Sequence, residues 1–216
     1  MKYLIVDTSS RTLLLSASNG KGDINLSLKD LDRHGSMLAV VIKQSLDLLE
    51  ISPADLDFLG AGVGPGSLTG LRVGLSTIKG ISLPHNIPVA PFNSLGPLAE
   101  GMDFDDFVIC RKGREGHFYW RAYLKKRPGE TLFSSTAEIK GKLDKSTIVC
   151  SERTEELADF KEYRTFLVEP SPTSMQKVAL EAFRSGKILS GIDLEPVYLQ
   201  KSVAELNWDR RNPRKT

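Results

Sequence analysis

The chain has 216 residues, 40% hydrophobic and 26% charged, with 18 Gly and 11 Pro, which excludes collagen-like, mucin-like and wholly disordered classes. A chain of this size buries roughly 70% of its unfolded surface, so its core needs no staples. Two cysteines, Cys110 and Cys150, and a net charge of +2 exclude a disulfide framework, a four-thiolate zinc site and a uniformly basic protein.

Residues 2–7 read as a buried strand. The apolar run inside it meets Asp7 too soon for a signal peptide, and no stretch reaches the ~18 apolar residues of a membrane helix; a cytoplasmic protein is expected. Residues 13–17 and 21–28 alternate as two further strands, completing an antiparallel meander. From His34 the period becomes helical, with Met37, Leu38, Val41, Ile42, Ser45, Leu48 and Leu49 on one stripe through about Glu50. Ser52–Pro53 opens a short helical turn. A fourth strand follows at 57–63, a helix at 67–83, a fifth strand at 87–91 and a short helix at 94–100.

Three strands, then helix, strand, helix, strand, is the order of a ribonuclease-H-like unit. After the acidic break Asp103–Asp106 the pattern resumes with strands at 106–111, 117–125 and 129–133. Short mixed elements follow, and a helix runs over 173–185 from Ser171–Pro172–Thr173 to Gly186. The reading is an α/β fold of the actin-like ATPase class, two ribonuclease-H-like units with the second reduced. The expected division is 1–103 and 104–216.

Charge is unevenly spread. Lys201–Thr216 has five basic against two acidic residues, and 111–127 has seven basic against Glu115. Such clusters point to nucleic acid, but on charge alone solvated strand faces and a soluble tail are the preferred reading.

Gly64-Pro65-Gly66-Ser67-Leu68-Thr69-Gly70-Leu71-Arg72-Val73-Gly74 follows a strand and opens a helix. Free amides at a helix N-terminus suit an anion, but no Lys-Ser/Thr follows as in a P-loop. The alternative is packing, with Gly66 in a turn and Gly70 and Gly74 on one face for close helix approach. Asp7-Thr8-Ser9-Ser10 is either a magnesium and phosphate element or a turn bonded to its own backbone. His34, His85 and His117 have no metal-ligand spacing, and no metal site is expected. No nucleophile–base pair can be assembled from the sequence.

LIVDTSS at 4–10, GPGSLTGLRVG at 64–74, IPVAPFNSL at 87–95 and EPVYLQKS at 195–202 together resemble the YeaZ/TsaB family. This is the accessory subunit family of bacterial tRNA threonylcarbamoyladenosine (t6A) synthesis. The resemblance covers nearly the whole chain in the same order. It implies the actin-like fold and a non-catalytic role, binding and stabilising a TsaD-type paralogue. That paralogue transfers threonylcarbamoyl from its adenylate to the adenosine beside the anticodon. A TsaE-type ATPase is the implied third partner, and a homodimer is implied in isolation.

The paralogue's two metal histidines match Ser94 and Leu98 here, neither a substitute for imidazole. No counterpart is found for its C-terminal metal aspartate or its nucleotide loop. The family's Asp-Ala-Arg run falls on Lys112-Gly113-Arg114, so Lys112 inverts the charge of the carboxylate that would face Asp7. No cofactor of its own is expected; ATP or ADP binding through Asp7, Thr8 and Ser9 is the alternative, and with it an autonomous ATPase or phosphotransferase. The resemblance implies a four-helix partner interface. It falls on His34, Met37, Leu38, Val41 and Ile42 of the first helix and Ser67, Thr69, Gly70, Arg72, Val73 and Gly74 of the second. Arg210, Arg211, Arg214 and Lys215 are assigned to tRNA phosphate, with Trp208 docking the tail on the body.

Overall fold

A computed structural model describes residues 1–29, 34–114 and 116–200, with the side chains of 34–36 left out. Trp208 and the tail cations Arg210, Arg211, Arg214 and Lys215, and the side chain of His34, lie outside the described residues.

The first half builds β1 (Lys2–Asp7), β2 (Leu13–Asn19), β3 (Asp23–Leu28), α1 (His34–Leu48), β4 (Phe58–Gly62), α2 (Leu68–His85), β5 (Val89–Phe92) and α3 (Gly96–Ala99), with a 3-10 turn at Pro53–Asp55. The sheet order is β3-β2-β1-β4-β5. The meander strands pair antiparallel, while β1–β4 and β4–β5 are parallel. The second half gives β6 (Phe107–Lys112), β7 (His117–Leu124), β8 (Arg127–Ser135), α4 (Thr136–Lys140), β9 (Ile148–Ser151), α5 (Thr154–Leu157), β10 (Arg164–Leu167) and α6 (Pro172–Arg184). Its order, β10-β9-β6-β7-β8, repeats the first unit strand for strand. What is reduced is the helix layer: α4 and α5 have five and four residues where α1 and α2 have 15 and 18.

Local chemistry sets the boundaries. Ser67 caps α2 by accepting from the Gly70 amide, and Asn86 ends it in the left-handed conformation. Ser171 caps α6 in the same way, with Pro172 in the first turn, and Gly186 follows its end at φ +75°. β2 is buried on both faces, whereas the edge strand β3 alternates half-buried and exposed positions.

One face of the first sheet packs on α1 and α2 through Leu4, Val6, Leu15, Leu38, Val41, Ile42, Leu75 and Ile78. The other face, with Tyr3, Ile5, Phe58 and Phe92, is covered by Met175, Ala179 and Ala182 of α6. Reciprocally, Leu98 of α3 and Leu95 just before it pack onto Phe107, Ile109 and Cys150 of the second sheet. The strands of the first sheet lie within residues 2–92 and those of the second within 107–167, and α6, later still in the chain, serves as the first sheet's second helix layer. Cys150 faces this cluster and Cys110 the opposite one, with Val108 and Trp120, so the two thiols lie on opposite sides of one sheet.

Candidate functional site: an arginine-filled cleft and an outward helix pair

The ends of β1 and β6 meet at a cleft between the units. Tyr3 opens the parallel pairing of β1 and Phe107 that of β6, so Asp7 and Arg111 fall at equivalent places on the two sheets. The residue facing Asp7 is therefore Arg111. Lys112, expected there, is the next residue along β6 and stands exposed on the outer wall of the cleft.

Arg111 is 5% exposed. Its Nε donates to Glu152 Oε1 at 2.6 Å and Nη2 to Oε2 at 3.3 Å, from the loop after β9. Nη1 donates to Ser9 Oγ (2.9 Å) and the Pro65 carbonyl (2.8 Å), and Nη2 also to the Ser94 carbonyl (3.3 Å). A guanidinium carries five N–H groups, and five acceptors surround this one. Burial works against its charge, yet Glu152 and Asp7 outweigh burial and raise its pKa. Burial pushes the Asp7 carboxyl above its ordinary value, opposed by Arg111 and by the Ser9 groups. Glu156, nearby and buried, is likewise pushed up by burial; it accepts from Ser151 Oγ at 2.5 Å.

The residues assigned to nucleotide are committed internally. Asp7, Thr8 and Ser9 are buried. Asp7 accepts the Ser9 amide at 2.8 Å, and Thr8 Oγ1 donates to the Gly70 carbonyl at 2.7 Å. The Ser67 amide donates to the Ser9 carbonyl at 2.6 Å. A Cβ at Gly66 would strike the Ser9 carbonyl, at Gly70 the Thr8 carbonyl and at Gly74 the Thr8 side chain. The glycine motif thus lets the first turns of α2 lie on the 8–9 turn. Close packing is its use, but against a turn of the same chain and not against another helix. The cleft outside this plug, about 930 Å³, is walled by Arg11, Lys29, Lys112, Arg114 and residues 152–156.

Ser94 and Leu98 are buried, Ser94 Oγ accepting the Gly64 amide at 3.0 Å. No cluster of three potential metal ligands occurs among the described residues. No helix among them is long and apolar enough to cross a membrane. The basic stretch 111–127 does not form one patch. Arg111 lies in the cleft, while Lys125 and Lys126 form the β7–β8 turn at the far end of β7.

The interface assigned to α1 and α2 needs correction. Leu38, Val41 and Ile42 are buried in the core, Gly70 and Gly74 are covered by Thr8, and Val73 is half-buried against the core. Leu38, Val41 and Ile42 face the sheet and Gly70 and Gly74 are closed over, so these five are unavailable to a partner, while Val73 also lines the cleft. Met37, Ser67, Thr69 and Arg72 are exposed. The outward surface also contains Val40, Gln44 and Leu48 on α1 and Ser76, Gly80 and Leu83 on α2, which the expectation omitted. The two helices pack side by side, and a Cβ built on Gly80 meets nothing within 4 Å. Leu48, expected on the inner stripe, is 76% exposed. Once the core face is fixed, Val40 and Leu48 stand out as apolar residues outside it, and that signal was present in the sequence.

Two sheets of order 3-2-1-4-5 facing across a cleft, each unit lending a helix to the other, define an actin-like α/β protein. A family model described as TsaD, tRNA N6-adenosine threonylcarbamoyltransferase, matches residues 30–183. The tRNA threonylcarbamoyladenosine biosynthesis protein TsaB of Escherichia coli K12 is 25% identical over 94% of this chain and 96% of its own. The Bacillus subtilis protein of the same name is 30% identical over 58% of this chain and 56% of its own. YeaZ from Pseudomonas aeruginosa superposes with a TM-score of 0.78 at 17% identity, covering 92% of this chain and 99% of that one. The chain belongs to the YeaZ/TsaB family, within the wider group that the TsaD family model describes.

Proposed function

We propose that this chain is a non-catalytic subunit of tRNA t6A synthesis that binds and stabilises a TsaD-type paralogue through the outward faces of α1 and α2. The observation that carries the reading is that face. Met37, Val40 and Leu48 are exposed apolar side chains on α1, beside Ser76, the open Gly80 and Leu83 on α2. Exposed apolar residues beside a small-residue strip suit another helix pair, because helices approach to roughly 8–10 Å when small side chains line the contact. The names of the E. coli and B. subtilis relatives support the pathway.

The rival reading, an autonomous ATPase or phosphotransferase, requires a cation and phosphate site at Asp7, Thr8, Ser9 and the 64–70 loop. Arg111 and the mutual packing of these segments argue against it. In the scaffold reading the chain needs no cofactor, and a TsaE-type ATPase is the third partner. Two copies of this chain pair through the same self-complementary face when the paralogue is absent. The cations at 210–215 meet tRNA phosphate; truncation after Asn207 should lower tRNA affinity and the slope of its salt dependence.

Gly80→Arg tests the face. It fills open space, so the fold should persist, while association with the TsaD-type paralogue in sedimentation should weaken at least tenfold, about 1.4 kcal/mol. Unchanged association would refute this interface.

A further inference from the structure

An actin-like cleft ordinarily joins its halves through a cation and a polyphosphate held between carboxylates. The residues here do not fit that group. The place equivalent to Asp7 on the second sheet holds a cation of the protein's own, and the glycine-loop amide of Ser67 is bonded to Ser9. The acceptors around Arg111 come from both units: Ser9, Pro65 and Ser94 from the first, Glu152 from the second. The other charged groups acting on it are Asp7 and Glu156.

We propose that Arg111 takes the place of the metal–nucleotide as the tie between the two units and holds them in one arrangement whether or not nucleotide is present. Other polar ties among the described residues also cross the units. Lys29–Glu169 and Lys177–Glu100 are solvent-exposed ion pairs, Asn93 Nδ2 donates to Thr131 Oγ1 and Gln176 Nε2 to Tyr3 Oη as neutral bonds, and backbone bonds join Val89 to Leu189 and Val197 to Val63. Among the described residues, Arg111 alone joins the halves as a buried charge with a two-pronged carboxylate bond, geometry that a lysine cannot reproduce. A fold that elsewhere opens and closes becomes a fixed body, which is what a scaffold for another subunit requires.

Spin labels at Lys21→Cys and Lys145→Cys, exposed positions on separate units, report the separation in the full chain; Cys110 and Cys150 are buried. The chain with Arg111 should give one narrow distance, unmoved by millimolar Mg²⁺ with ATP. Arg111→Met and Arg111→Lys should lose that single distance and spread to longer separations. Glu152→Gln, which cuts only the ionic tie to the second unit, should broaden it as well and stands in if Arg111→Met does not fold. A nucleotide-driven shift in the parent would overturn the proposal. So would folded variants that keep the parent's narrow distance.

Discussion

At the residue scale, three glycines four apart and one arginine carry most of the argument. Gly70 and Gly74 lie against backbone and buried atoms of Thr8 that have nowhere to move. Gly70→Ala or Gly74→Ala should therefore destabilise by about 1–3 kcal/mol in urea unfolding, the usual cost of overpacking. Gly80, in the same helix but facing open space, should behave oppositely: Gly80→Ala should stabilise by up to about 1 kcal/mol through helix propensity. Equal effects at Gly74 and Gly80 would contradict the placement of the two faces.

Removing the Arg111 guanidinium leaves Glu152 buried without its cation, and Arg111→Met should cost about 3–5 kcal/mol. Glu156 gives a pH signature. Burial raises its carboxyl above the ordinary value, so its contribution to stability is complete below that value and is lost as pH rises through the raised one. Glu156→Gln keeps the shape without the charge. Its urea midpoint should match the parent in acid and exceed it at pH 8; a variant weaker than the parent at pH 8 would contradict this. The motif GPGSLTGLRVG was legible as glycines needed for close approach, but its neighbour was not. Nothing local says that the approaching atoms belong to residues 8 and 9. Arg111 was hidden for a related reason: counting back from Tyr119–Trp120 lands on Lys112, and only the register of the two sheets shows that its neighbour stands at the place equivalent to Asp7.

At the scale of elements, sequence periodicity located every major strand and helix of the first unit within a few residues. Expected over 67–83, α2 runs to His85 with Pro84 inside its last turn, and it ends within two residues of that proline at Asn86. Caps made α6 legible at both ends. Periodicity failed at α1, where it merged two faces. Leu38, Val41, Ile42, Leu46 and Leu49 make the inner face, while Met37, Val40 and Leu48 stand outside it. A helix that is apolar on both sides gives a wide arc with no visible seam, and only the position of the sheet divides it. Met37→Glu with Val40→Glu should leave thermal unfolding nearly unchanged and abolish co-sedimentation with a TsaD-type paralogue. Leu38→Ala should do the reverse, destabilising by about 2–5 kcal/mol while sparing association in the folded fraction.

At the scale of the whole molecule, the strand order repeats but the helices are exchanged, and the exchange binds the halves more firmly than a boundary near 103 implies. Ala179 of α6 packs over Gly60 of β4, and Phe183 stacks on Phe58 at 4.2 Å. Which sheet a late helix covers is a long-range fact that no local pattern records. A fragment of residues 1–103 should therefore expose its Tyr3–Phe58–Phe92 face, bind a hydrophobic dye and lack near-ultraviolet dichroism. Mixing with residues 104–216 should restore the native spectrum. In the proposed reading, with the halves joined in this way, the chain's outward work falls to the α1–α2 face. The most direct measurement is t6A formation on unmodified tRNA with a TsaD-type enzyme, a TsaE-type ATPase and the threonylcarbamoyl-adenylate synthase, with and without this chain. Product should appear only when the chain is present, be lost with Gly80→Arg, and never form with the chain in place of the TsaD-type enzyme. Equal product in the presence and absence of the chain would contradict the scaffold role.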